Sequence, residues 1–216
     1  MALADHWDAA YSTRGIERVS WFQAVPETSL ELVHALDILA DAAVIDVGGG
    51  ASFLVDELLD RGYGDLTVLD LSAAALEATQ RRLPAGGHVE FIRADLLEWE
   101  PDRHYDLWHD RAVFHFLVDD ADKDGYVATL RRAVEPGGKV IVGTFAEDGP
   151  ETCSGLPVDR YSTADLVAAL GDGFDVLETR RERHVTPRGA VQPFTWVAGA
   201  LSADAGSGSG AAIRAS

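Results

Sequence analysis

Short apolar runs that end at or near an acid recur along this chain, and between them apolar residues fall every three or four positions. Ala43-Val44-Ile45-Asp46-Val47 and Leu66-Thr67-Val68-Leu69-Asp70 read as strands, as do Val89-Glu90-Phe91-Ile92-Arg93 before Asp95 and Tyr105-Asp106-Leu107-Trp108-His109 before Asp110. Ahead of the first run, Pro26-Glu27-Thr28 opens a helix whose Leu30, Val33, Leu36 and Leu39 share one face. Ser52 opens another, through Leu54, Val55, Leu58 and Leu59 to a stop at Gly62, and Ser72 caps a third that ends by Pro84. Helical spacing through Tyr126, Val127, Leu130 and Val134 leads into Glu135-Pro136-Gly137-Gly138-Lys139, a turn signal, and then to a strand from Val140 to Phe145.

The alternation changes near the C-terminus. Residues 147 to 160 form a Gly- and Pro-rich loop, and Ser162-Thr163-Ala164-Asp165 reads as a capping box before Leu166 to Leu170. Phe174 to His184 and Val191 to Leu201, joined by Thr186-Pro187-Arg188-Gly189, read as an antiparallel pair. Residues 202 to 216 are mostly Ala, Gly and Ser and read as a flexible tail. Alternating strands and helices specify an α/β fold, doubly wound around a mostly parallel sheet with helices on both faces, and the antiparallel pair closes one edge.

At 216 residues and 47% hydrophobic content the chain suits one domain, spanning 1–201. A net charge of −18 repels nucleic-acid backbones and anionic lipid surfaces, so neither is an expected partner. No apolar run approaches the roughly twenty residues needed to span a bilayer. Cys153 is the only cysteine, which excludes an internal disulfide and fits a cytoplasmic location. His104, His109 and His115 lie on different predicted elements, so no metal site is expected. No pattern sets the oligomeric state.

The chemistry concentrates after the first strand. Asp46-Val47-Gly48-Gly49-Gly50-Ala51-Ser52 joins a buried strand to a helix through glycines, which let the chain turn sharply and let a ligand lie against the backbone. About twenty residues on, Asp70 stands at the end of the second strand, placed to accept hydrogen bonds from a ribose diol.

With these features the chain resembles the class I S-adenosylmethionine-dependent methyltransferases over nearly everything from Trp7 to Leu201. Four features carry the resemblance: the acid-and-glycine loop at Asp46 to Ser52, Asp70, the Ala94-Asp95-Leu96 acid, and Pro136-Gly137-Gly138, with the terminal hairpin matching the family's reversed last strand. Ser52 stands where a third glycine is common. The resemblance implies a seven-stranded Rossmann-like sheet and S-adenosylmethionine as cofactor, with S-adenosylhomocysteine as product. It implies that Asp46 and the backbone of Gly48, Gly49 and Gly50 hold the methionine part, and Asp70 the ribose hydroxyls. Asp95 then faces the adenine amino group, Leu71 and Leu96 pack on its ring, and Ser52 caps the helix or touches the ligand.

Trp7-Asp8-x-x-Tyr11 followed by Ser20-Trp21-Phe22 is similar to the leader of some small methyltransferases, which implies a lid over the cofactor from residues 1–25, with Tyr11 and Trp21 at the ligand. Substrates on such sheets bind beyond the carboxyl ends of the strands, which makes His109, Asp110 and His115 the acid/base candidates and sets Asp110 beside the cofactor. Methyl transfer from a sulfonium needs positioning above all. A near-minimal core points to a small-molecule acceptor methylated on N, O or S, with protein lysine methylation or cofactor binding without turnover as alternatives.

Overall fold

The computed structural model describes residues 3–84 and 88–202. Six helices, α1 (Leu3–Arg14), α2 (Glu27–Ala35), α3 (Leu54–Asp60), α4 (Ala73–Arg82), α5 (Asp120–Ala133) and α6 (Thr163–Leu170), accompany nine strands. The strands are β1 (Ala43–Val47), β2 (Asp65–Asp70), β3 (Val89–Arg93), β4 (Tyr105–Arg111), β5 (Val134–Phe145), β6 (Thr152–Cys153), β7 (Leu156–Pro157), β8 (Phe174–Val185) and β9 (Val191–Leu201).

Seven strands form one sheet in the order β3-β2-β1-β4-β5-β9-β8. The first five are parallel, and β9 runs antiparallel to both of its neighbours. This is the expected doubly wound sheet with its reversed edge. Each central strand alternates its side chains between two cores. Ile45, Trp108 and Val142 pack with Tyr126 and Leu130 of α5 and Leu166 of α6. Val44, Leu107 and Ile141 pack with Leu32 of α2, Leu54 and Leu58 of α3 and Leu76 of α4. Burial on both faces explains why β1 is buried throughout and reads as a continuous apolar run.

Several local expectations change. α3 starts at Leu54 rather than Ser52, whose hydroxyl still accepts the Leu54 N–H at 3.1 Å. Leu39 is 68% exposed, because α2 ends at Ala35 and Asp37 takes a left-handed turn (φ 52°) that breaks the helical period. The Pro136-Gly137-Gly138 turn lies inside β5 as an irregularity, where the β4 partner jumps from Val134 to Lys139. The loop after β5 contains the β6–β7 hairpin, turned by Ser154 (φ 53°) and Gly155 (φ 82°), both in the positive region that two-residue hairpins favour. Ser162 caps α6 as expected, accepting the Asp165 N–H at 3.2 Å and donating to its carboxylate at 2.6 Å. The expected tail lies, beyond Ser202, outside the described residues. No described helix is long and apolar enough to cross a membrane.

β1 is where the sheet order reverses, with β2 on one side and β4 on the other, so the chain leaves their carboxyl ends in opposite directions. The resulting crevice is covered by α1 and the segment after it. Asp8 of α1 accepts from the Ser72 hydroxyl at 2.6 Å and the Ala74 N–H at 3.1 Å, which pins α1 to the start of α4. Further on, the Ser20 carbonyl accepts from His184 at 2.6 Å and Gln23 donates to Glu182 at 2.7 Å, which ties the segment to β8.

Candidate functional site

Two chambers lie beneath this cover and share Tyr11, Trp21, Gly48 and Arg111. The larger, about 250 Å³, is lined by Asp70, Leu71, Asp95 and Leu96 together with Trp7, Phe116 and Cys153. The smaller, about 50 Å³, is lined by Ser29, Asp46, Gly49, Ser52, Phe53 and His109. Ten of the twelve residues expected at the cofactor line a chamber; Gly50 and Asp110 line neither.

The glycine loop is tight for two reasons. Gly48 (φ 65°) and Gly50 (φ 36°) adopt conformations unfavourable to larger residues, and Cβ atoms at 48 and 49 would run into Val113 and the Asp46 carboxylate. Asp46 closes β1 behind that loop. Its Oδ1 accepts from His109 Nδ1 at 2.8 Å, and His109 Nε2 meets the Ser29 hydroxyl at 2.9 Å. Asp46 Oδ2 is buried with no partner. An unsatisfied carboxylate oxygen beside a bare backbone loop suits a cationic group such as an ammonium. His109 therefore has both ring nitrogens engaged, Nδ1 by Asp46 and Nε2 by Ser29.

Asp70 ends β2 at the opposite side of the loop. Its Oδ1 accepts the Ser72 N–H at 2.7 Å, while its Oδ2 sits against Gly50, where a Cβ would fall 2.5 Å away. Burial pushes its carboxyl up to about 7, against the Ser72 N–H that lowers it, and the Asp46 and Asp8 charges add to the rise. Asp95 accepts the Leu97 N–H at 3.0 Å, which fixes its carboxylate at the chamber wall beside Leu96. Two carboxylates and two leucines in one apolar chamber suit a purine nucleoside, polar at its sugar and amino group and flat between. The residues thus fit the cofactor that the resemblance implies. Above them, Trp21 donates to the Tyr11 hydroxyl at 3.1 Å, and Trp7 meets Trp21 and Phe116 edge-on with centroids 5.7 and 5.1 Å apart.

Asp110 and His115 sit elsewhere than the expected acid/base positions. Asp110 is fully buried, lines neither chamber, and accepts from the Val113 and Phe114 N–H groups at 2.8 and 3.1 Å and from the Tyr126 hydroxyl at 2.8 Å. Its carboxylate caps the turn after β4. His115 is also fully buried and outside both chambers. The Phe145 N–H donates to its Nδ1 at 3.2 Å, so the ring proton sits on Nε2, which has no partner. Burial, reinforced by the Arg111 charge, pushes its pKa down to about 3, which leaves it neutral and a poor base near neutral pH.

Sequence reasoning did not single out Ser29, Phe116, Cys153 or Arg111 as lining residues. The Asp110 carboxylate is taken up by its own turn and by Tyr126, and Arg111 points into the chambers instead. Its place at the carboxyl end of β4 was the available signal. Among the described residues no three His, Cys, Asp or Glu side chains gather as metal ligands.

Comparisons with known proteins agree with this geometry. Residues 44–138 match the family model of a methyltransferase domain. The chain is similar to the eEF1A lysine and N-terminal methyltransferase of Mus musculus, 25% identical over 67% of this chain and 22% of that protein. It spans about a fifth of the length of such relatives. Among solved structures it is similar to the protein in "Conversion of a Disulfide Bond into a Thioacetal Group during Echinomycin Biosynthesis" (TM-score 0.75, 21% identity, 94% of each chain). It is also similar to Burkholderia thailandensis 1,6-didemethyltoxoflavin-N1-methyltransferase with bound 1,6-didemethyltoxoflavin and S-adenosylhomocysteine (TM-score 0.66, 18% identity, 92% of this chain and 84% of that one). Residues 44–138 thus match a methyltransferase domain, and the fold is the one these solved structures share.

Proposed function

We propose that this protein is a class I S-adenosylmethionine-dependent methyltransferase that transfers a methyl group to N, O or S of a small-molecule acceptor and releases S-adenosylhomocysteine. One observation carries the reading: a carboxylate pair, Asp70 and Asp95, and a side-chain-free loop beside the unpartnered Asp46 Oδ2 all face adjoining chambers under one cover. Asp46 takes the amino group of the methionine part, Asp70 the ribose hydroxyls and Asp95 the adenine amino group. Leu71 and Leu96 hold the ring between them.

The bound cofactor supplies a methyl group already activated by its sulfonium. What the chain contributes is position and dryness. α1 and residues 15–25 form the lid, held by Asp8 on α4, by Gln23 on Glu182 and by Ser20 on His184. His109 orients Asp46, while Asp110 and His115 shape the turn that follows β4, and all three act as positioning residues. With His109 engaged by Asp46 and Ser29 and His115 buried outside both chambers, the acceptor reacts as a free amine, a thiolate or an already acidic hydroxyl and gives up its proton to solvent. The buried Cys153 and acidic surface favour a cytoplasmic setting.

A small acceptor is favoured because the lid is tied down at several points over the chambers, leaving a compact space beside the nucleoside site. The likeness to the mouse eEF1A methyltransferase supports protein lysine methylation as a second reading. Methyl transfer from radiolabelled S-adenosylmethionine into a lysate, split afterwards into protein and small-metabolite fractions, separates them. Label in the metabolite fraction is the expected result. Label confined to protein reverses the choice of acceptor, and cofactor binding without any transfer supports a non-catalytic role.

A further inference from the structure

Arg111, the last residue of β4, carries a guanidinium that the fold leaves half used. Its Nη1 donates to the Trp21 carbonyl at 3.0 Å, and its Cζ lies 4.6 Å from the centre of the Phe194 ring, so one edge and one face are fixed. Nε and Nη2 are buried and have no hydrogen-bond partner. These two atoms share the remaining edge, the one whose parallel N–H groups match the two oxygens of a carboxylate. The residue lines both chambers.

Buried arginines are normally paired, because an unpaired buried charge is costly. In a chain with 36 acidic residues, pairing partners are plentiful. Yet the nearest candidate in sequence, Asp110, is consumed by Val113, Phe114 and Tyr126, and Glu182 by Gln23 and the Trp196 indole. We propose that the free edge of Arg111 binds a carboxylate of the methyl acceptor, so that the substrate class is small carboxylic acids with an apolar or aromatic body. This rests on the methyltransferase reading above and narrows it. Trp7, Trp21, Phe116 and Cys153 line the chamber beside the guanidinium and supply an apolar wall for that body. A carboxylate gripped on both oxygens is an anchor, and the methylated atom lies elsewhere on the acceptor.

The cofactor's own carboxylate is the competing source of the same chemistry. The surroundings of Arg111 favour the acceptor: its fixed contacts are the Trp21 carbonyl and the Phe194 ring of β9, and the charge acting most strongly on it is Glu182 of β8, ahead of Asp46 at the glycine loop.

The test titrates the full chain, saturated with S-adenosylhomocysteine, with matched acid and amide pairs: anthranilate and anthranilamide, salicylate and salicylamide, indole-3-acetate and indole-3-acetamide. At least one acid is expected to bind about tenfold more tightly than its amide. Arg111→Gln removes that preference and leaves S-adenosylhomocysteine affinity within about threefold. Arg111→Lys, which keeps the charge but loses the paired edge, retains only part of the preference and shows that the loss is not one of folding. Equal binding of acids and amides, no binding of either, or a preference that survives Arg111→Gln overturns the proposal. So does a large loss of S-adenosylhomocysteine affinity in Arg111→Gln with 5′-methylthioadenosine affinity unchanged, which assigns the edge to the cofactor's carboxylate. Failure of S-adenosylhomocysteine to bind the wild type overturns the methyltransferase reading beneath it.

Discussion

Asp70 couples cofactor binding to protons. Its carboxyl, ordinarily near 3.8, is pushed up to about 7 by burial, and a ribose diol prefers the ionised form. Cofactor affinity therefore rises as pH increases through about 7, and binding below that pH releases a proton, visible as a buffer-dependent enthalpy in calorimetry. The sign for stability is opposite. Between about 4 and 7 the folded, cofactor-free protein holds a proton at Asp70 that the unfolded chain has lost, so this group makes the fold less stable as pH rises through that window. A denaturation midpoint that is flat in the cofactor-free protein, or a proton uptake on binding, contradicts the assignment. Arg111 makes a second residue-scale case. Replacing it with Met removes a buried charge lacking partners for Nε and Nη2, at the cost of the Trp21 carbonyl's donor. The expected net gain in stability is about 1–2 kcal/mol, read as a higher urea midpoint at unchanged slope. A loss of stability would show that the guanidinium holds the fold together.

At the scale of elements, the cover depends on one capping arrangement. The Ser72 hydroxyl accepts the Ala75 N–H at 3.1 Å as the N-cap of α4 and donates to Asp8 of α1, whose carboxyl is held below its ordinary value chiefly by that bond. Asp8 also takes the Ala74 N–H, so one carboxylate satisfies the first turn of α4 and anchors the lid. α1 has little amphipathic pattern of its own and relies on such tethers. Asp8→Ala is expected to raise amide hydrogen exchange across residues 3–14 and to weaken cofactor binding severalfold, with exchange in β1 and β4 unchanged. Unchanged exchange in α1 would mean that the aromatic contacts of Trp7 alone hold it.

For the whole molecule, the sheet was readable because buried parallel strands are apolar on both faces and their connecting helices are amphipathic, as in the alternation of Val44 and Ile45 between the two cores. The reversed edge was readable from the turn at Thr186 to Gly189. The chamber-lining places of Gly48, Gly49 and Asp70 were also legible, since the residue type and its distance from a strand end carry the information. The direction in which an acid or histidine points was not. Asp70 and Asp110 both follow strand ends, yet one faces a chamber and the other folds back onto its own turn. The His109–Ser29 contact spans 80 residues and has no local signature. Arg111 follows Asp110 directly, yet alternate side chains of a strand take opposite faces, so one lines the chambers while the other folds back onto its turn.

Calorimetric titration of S-adenosylhomocysteine into the wild type and Asp70→Ala tests the central claim most directly. The account predicts one-site binding to the wild type, weakened in the variant by about 2–4 kcal/mol, roughly 30-fold or more, because a charged acceptor of two hydroxyls is lost. Equal affinity for the two proteins, or selective binding of a nicotinamide dinucleotide in place of S-adenosylhomocysteine, would contradict it.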